Sequence, residues 1–229
     1  MTPTGPGPLT VLPVRGIGEI RRGDEIADAI VAAAAAQGTP IAGGDCVVVT
    51  QKIVSKAEGR VVALDPGDPD AKRRVVESES VRVVRRRGDL VISETRHGFV
   101  CANAGVDLSN VDAGHAALLP VDPDRSAKHI RDAIRARAGV EVGVIVSDTF
   151  GRPWRRGLTD VAIGVSGIVA VLDLRATPDA HGRELQVTEV AVADEIASAA
   201  ELVMGKAAGV PVAIVRGLDP RWFRDGLLS

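Results

Sequence analysis

The stretch best suited to chemistry is Ser147-Asp148-Thr149-Phe150-Gly151-Arg152-Pro153-Trp154-Arg155-Arg156-Gly157, which leaves the strongest apolar run of the chain, 140–147. A carboxylate such as Asp148, placed after such a run, is costly to bury without a partner. Three arginines follow it within five residues. A carboxylate for a metal beside guanidinium groups for phosphate or a substrate carboxylate suits phosphoryl transfer, where catalysis is positioning plus charge neutralisation. The alternative, a capped turn with exposed arginines, weighs less here. A second stretch, Thr50-Gln51-Lys52-Ile53-Val54-Ser55-Lys56, holds two of only five lysines in the chain. A lysine is a compact cation for phosphate oxygens, although the same residues read equally as a solvated helix start. A third, Asn103-Ala104-Gly105-Val106-Asp107-Leu108-Ser109-Asn110, supplies hard oxygen ligands of the kind Mg²⁺ or Mn²⁺ takes. On residue types alone, an Asx-rich surface turn is its plainer reading. The fourth, Asp179–Gln186, and the adjacent Asp194 and Glu195 read as surface or helix-cap residues.

Other chemistries lack their residues. There is no GxxxxGK[ST], no complete GxGxxG (Gly16-Ile17-Gly18 lacks the third glycine), no GxSxG, and no HExxH among the four histidines. Cys46 and Cys101 have no CxxC partner, so neither zinc nor a disulfide is expected, and a reducing cytoplasm is the expected compartment. A net charge of −2 supplies no basic field for nucleic acid, and 2% aromatic residues with no tyrosine supply no base-stacking platform. The aromatic scarcity and the 23 arginines against five lysines fit a GC-rich genome. No apolar run is long enough to span a membrane, and no secretory signal is visible.

The elements that must position these residues follow from pattern. Residues 1–8 read as a frayed Pro/Gly tail, and 9–229 as one domain, with two intertwined subdomains conceivable. Leu9–Val14 is extended. Asp24 reads as the N-cap of a helix to Gln37, stopped by Gly38. Residues 45–50 read as a buried strand. A helix is expected over 70–87, with Val75, Val76, Val81 and Val84 on its buried stripe. Strands follow at 90–94, 98–102 and 117–121, then a helix at 126–138 ending at Gly139, and a strand at 140–147. Strand-like runs at 160–165 and 167–174 precede a loop at 175–186, a helix over 189–206 and an edge-like strand at 210–215. This irregular mixture predicts an α+β fold with a mixed, largely antiparallel sheet and flanking helices. Phe99, Phe150 and Trp154 flank the candidate motifs, and at least one is expected to wall the pocket.

LPVRGIGEI, VVVTQKIVSKAEGR, ANAGVDLSNV, SDTFGRPWRRG and GRELQVTEVAVADEIASAAELVMGK resemble, in order from about Val11 to Gly217, the coenzyme F420-0:L-glutamate (gamma-glutamyl) ligases. The resemblance implies a family fold without a P-loop and a homodimer. It implies GTP, two Mg²⁺ or Mn²⁺ ions per site and K⁺ as cofactors. The expected reaction joins L-glutamate to the terminal carboxylate of the deazaflavin F420-0 through an acyl phosphate, and then adds further gamma-linked glutamates. Carried over, Asp107 and Asp148 match metal carboxylates and Thr149 matches a ligand of a second metal, completed by Glu184 or Gln186. Ile17, Gly18, Glu19, Ile20, Gln51, Lys56 and Asn110 match GTP contacts; Gln51 stands where a relative has serine, which leaves its backbone as the contact. Among the arginines at 152–156, Arg152 is expected to join Asp107 and Asp148 in catalysis by orienting an acidic substrate. A nitroreductase-like FMN domain, fused in actinobacterial relatives, is not expected in these 229 residues. Two rivals remain: an amide ligase acting on another acidic acceptor, and a non-catalytic nucleotide- or coenzyme-binding module.

Overall fold

The computed structural model describes residues 7–224; residues 1–6 of the expected tail and 225–229 of the expected domain lie outside the described residues. In chain order the elements are β1 (Thr10–Pro13), α1 (Ile26–Ala36), β2 (Cys46–Thr50), α2 (Gln51–Ala57), β3 (Val61–Ala63), α3 (Ala71–Glu79), β4 (Ser80–Arg87), β5 (Leu90–Thr95) and β6 (Val100–Ala102). They continue with β7 (His115–Ala117), α4 (Pro123–Ala138), β8 (Gly143–Gly151), β9 (Leu158–Ser166), β10 (Leu172–Asp173), β11 (Glu189–Val190), α5 (Val192–Met204) and β12 (Val212–Arg216).

The main sheet has the order β1-β12-β2-β8-β9, with only the β2–β8 pair parallel. Strand alternation splits its core in two. Val47, Val49, Val144, Val146, Val212 and Ile214 face α1, α2 and α4, while Cys46, Val48, Ile145, Ala213 and Val215 face α5. A smaller layer, formed by α3, β3–β7 and β4–β5–β6, closes around Val76, Val91, Val106, Ala116 and Leu118. The α+β class with a mixed, largely antiparallel sheet is thus the observed one.

Several element boundaries differ from expectation. The helix over 70–87 stops at Glu79, where the Ser80 hydroxyl bonds the Val76 carbonyl. The β-branched run after it pairs with β5 across a two-residue turn, with Gly88 at φ 57. Val81 and Val84 are therefore exposed rather than on a buried stripe. The 210–215 strand is interior, not an edge: helices cover both sheet faces, so it is apolar throughout. Asp24 does not cap α1; its carboxylate accepts from the Arg21 amide one turn earlier, and Glu25 precedes the helix. Asp122 caps α4 instead, which begins at Pro123. In place of the expected 117–121 strand, the strand is His115–Ala117, and it stops before Pro120, which could not continue a ladder. The 160–165 run lies within β9, which Gly167 at φ 74 ends, and of the 167–174 run only Leu172–Asp173 forms a strand, paired with Glu189–Val190.

Candidate active site

β8 runs four residues past Ser147, the partner of Thr50 at the end of its parallel pairing with β2, and carries Asp148 and Thr149 beyond the apolar core. Successive strand residues point to opposite faces. Ser147 and Thr149 turn toward Asp160 on β9, while Asp148 turns toward Asp107 and Cys101. A register shift between Val146 and Ser147 leaves one extra residue on β9 at this point, the kind of bulge that re-aims side chains.

Asp107 arrives from the turn after β6. Its backbone is fastened to Ala117 in both directions, at 3.0 and 2.8 Å. One carboxylate oxygen accepts from the Ser109 amide at 2.7 Å, and the other from Lys52 Nζ at 2.7 Å and the Ser109 hydroxyl at 3.0 Å. Burial opposes its ionisation, but Lys52 and Ser109 outweigh burial and hold its pKa below the usual carboxylate value. Asp148 lacks such partners. Burial pushes its pKa up to about 7, with the charges of Asp107 and Asp160 adding to the shift and the Thr149 amide and Lys206 opposing it.

These groups face one cleft of ≈ 870 Å³, large enough for a nucleotide and a second small ligand. Ile17–Ile20 form one rim, Thr50–Ile53 and Lys56 the next wall, Asp107 and Ser109–Asp112 a third, and Ser147–Thr149 with Asp160 the floor. Lys56 Nζ pairs with Glu19 at 2.5 Å. Gln51 is buried and accepts the Ser55 hydroxyl at 2.8 Å. Asn110 sits at φ 53, a conformation asparagine tolerates better than most residues. Every expected nucleotide contact therefore lines the same cleft as Asp107, Asp148 and Thr149.

Three expected site residues are not brought there. Glu184 and Gln186 lie exposed on the loop between β10 and β11, away from the cleft lining. Arg152 folds back under its own turn, where Nη2 bonds the Arg156 carbonyl. No ring of Phe99, Phe150 or Trp154 lines the cleft: Phe99 and Phe150 pack edge-to-face at 5.9 Å against the core, and Trp154 stands in solvent.

Asp160, Glu201 and Lys206 line the cleft and were not singled out by motif. Asp160, buried, accepts from Thr149 Oγ1 at 2.5 Å and Ser147 Oγ at 3.2 Å, and pairs with Lys206 Nζ at 3.2 Å. Lys206 also lies 3.4 Å from Glu201. Two signals were present in the sequence: Asp160 interrupts an apolar strand just as Asp148 does, and Lys206 is another of the rare lysines. Three of the five, Lys52, Lys56 and Lys206, end in this cleft.

The donor set suits a hard divalent cation only in part. Among the described residues, no three His, Cys, Asp or Glu side chains converge on one point. Asp107, Asp148 and Thr149 would supply some oxygen ligands and leave the rest to phosphate and water, as Mg²⁺ sites commonly do. A second cavity of ≈ 400 Å³ between α1, α2 and α4 holds none of the candidate residues.

The model of the F420-0:Gamma-glutamyl ligase family matches residues 16–217. Three relatives bear the name coenzyme F420:L-glutamate ligase. That of Methanothermobacter thermautotrophicus is 44% identical, over 91% of this chain and 89% of its own length. That of Methanopyrus kandleri is 45% identical, over 93% and 88%. That of Methanocaldococcus jannaschii is 46% identical, over 79% and 78%. With the residues around Ile17, Lys56, Asp107 and Asp148 in a single cleft and this similarity running along most of its length, the chain belongs to the F420-0:gamma-glutamyl ligase family.

Proposed function

We propose that this protein ligates L-glutamate to the terminal carboxylate of F420-0, driven by GTP. The observation that carries the reading is the convergence of Asp107, Asp148 and Thr149 with three lysines in one cleft of a chain of this family. A carboxylate is a poor acyl donor at neutral pH. Its oxygen attacks the γ-phosphorus of GTP, the bond to the β-γ bridging oxygen breaks, and GDP leaves with an acyl phosphate remaining. The uncharged α-amine of glutamate then attacks the acyl carbon, inorganic phosphate leaves, and the nitrogen loses its proton as the amide forms. Further gamma-linked additions would repeat these steps on the new terminus.

All reactants are anions, so the residues must neutralise charge. Lys52, Lys56 and Lys206 draw phosphate oxygens into the cleft, and to do so Lys52 exchanges Asp107 for a phosphate. Ile17–Ile20, the Gln51 backbone and Asn110 hold the nucleotide. Asp107 and Asp148 would hold one Mg²⁺ or Mn²⁺, with Thr149, its hydroxyl proton given to Asp160, beside a second. Bound divalent ions would screen the phosphate oxygens along the transfer path. Potassium and a homodimer complete the proposal. Exposed Val81, Val83 and Val84 on the edge strand β4 support the dimer, because apolar edges are usually covered.

The test is incubation with F420-0, L-glutamate, GTP and Mn²⁺, with phosphate detection and product mass. One or more glutamate adducts that depend on GTP are expected, with much slower turnover on ATP and a particle of twice the 23.8 kDa chain mass in sedimentation. Phosphate release without an adduct on F420-0, but with one on another acid, would reassign the acceptor. Turnover retained in Asp148→Asn would overturn the metal assignment.

A further inference from the structure

The β8–β9 hairpin does not end at the cleft. Gly151 pairs with Leu158, which lines the cleft wall, and residues 152–157 project beyond that pair. Arg152, folded beneath the turn, pins it from inside. Gly157, at φ 104, leaves the space Arg152 needs, since a Cβ there would lie 2.7 Å from Nη2. With the turn pinned, Trp154 is held 73% exposed. Arg155 and Arg156 beside it are exposed, and among the described residues neither makes an ion pair.

Exposing most of an indole is costly, and here it is presented on a braced turn beside two guanidinium groups that make no ion pair among the described residues. Such a surface suits a planar aromatic ring that carries negative charge nearby: indole stacks on the ring, and arginines stack or pair with the anion. The tip is also at a fitting distance. Three strand steps take β8 from Asp148 to Gly151 at the base of the turn, about 10 Å at roughly 3.3 Å per residue, and Trp154 lies beyond it. A deazaflavin with its ring at one end and its reactive carboxylate at the other of an anionic tail could span that gap. Phe99 and Phe150, spent on the core, offer no such face.

Resting on the ligase reading above, we infer that Trp154, with Arg155 and Arg156, is the acceptor-recognition platform: it stacks on the deazaflavin ring of F420-0 while the tail reaches Asp148. The nucleotide binds the other wall and does not touch it.

The test is steady-state kinetics on Trp154→Ala, Trp154→Phe and the double variant Arg155→Gln/Arg156→Gln, after the wild type has been shown by product mass to glutamylate F420-0. Trp154→Ala should raise the KM for F420-0 roughly tenfold, with kcat and the KM for GTP within about twofold of wild type, and Trp154→Phe should recover most of the loss. The double variant should raise the same KM and flatten its dependence on salt. Because these side chains are exposed, thermal midpoints should not move. An unchanged KM for F420-0 in Trp154→Ala, or a shift confined to the KM for GTP, would overturn the platform while leaving the ligase reading intact. A wild type that forms no adduct on F420-0 would overturn both.

Discussion

Asp148 and Asp160 stand at the two ends of one small charge system, and each has a measurable consequence. Asp148 keeps its proton to about pH 7 in the folded chain, against an ordinary value of 3.8. Between those values the native state binds more protons than the unfolded state, so stability falls as pH rises through that window. Asp107 has the opposite shift, and its contribution is lost only as pH falls below the ordinary carboxylate range. In EDTA, urea midpoints of the wild type should therefore decline from about pH 4 to 7, Asp148→Asn should flatten the decline, and Mn²⁺ should restore the wild type near pH 7.5. A decline of equal slope in the variant would place its source elsewhere. Asp160→Ala leaves the Ser147 and Thr149 hydroxyls without their shared acceptor and leaves Lys206 with Glu201 alone. A loss of about 1–3 kcal/mol in chemical denaturation is expected. Turnover should fall further than that loss explains, because Thr149 is no longer aimed.

At the scale of elements, the placement of β8 and β9 decides the site. β9 crosses the start of α4 at Gly164, where a Cβ would run into the Pro123 backbone and ring. Only a residue without a side chain lets the helix seat there. Gly164→Ala should cost about 1–3 kcal/mol by overpacking, read as a fall in thermal midpoint of roughly 2–12 °C. The strand expected at 140–147 begins at Gly143 and runs on to Gly151, although the polar SDTFG segment does not look like a strand. It becomes one because β9 offers it a partner as far as Leu158. The 80–87 segment went the other way: its valines satisfy helical and strand spacing alike, and the Gly88–Asp89 turn into β5 settled the choice.

Across the whole molecule, both cysteines are buried, one on the α5 face of the main sheet and one beside Asp148. Burial pushes the Cys101 thiol up to about 11, with the Asp148 charge adding to the shift, and raises Cys46 still more strongly. The native chain should therefore show no thiol reactive toward Ellman's reagent at pH 8 and two in urea. A rapid native reaction would mean that one of these layers opens locally. Among the described residues, no helix is long and apolar enough to cross a membrane.

The sequence by itself determined the α+β class, the buried strands that lead into Thr50 and Ser147, and the motifs around Lys56, Asp107 and Asp148. Those features rest on local apolar pattern, on the rarity of lysine in this chain, and on polar residues placed at the ends of apolar runs. Only the tertiary structure decided which polar residues share the cleft. It brought in Asp160, Glu201 and Lys206 and left out Glu184, Gln186 and Arg152. The physical reason is that partnership across a sheet depends on register: Thr149 meets Asp160 because β8 and β9 pair as they do, and Lys206 joins them from the end of α5. The aromatics near the motifs divided in the same way, two of them filling the core and Trp154 left facing solvent.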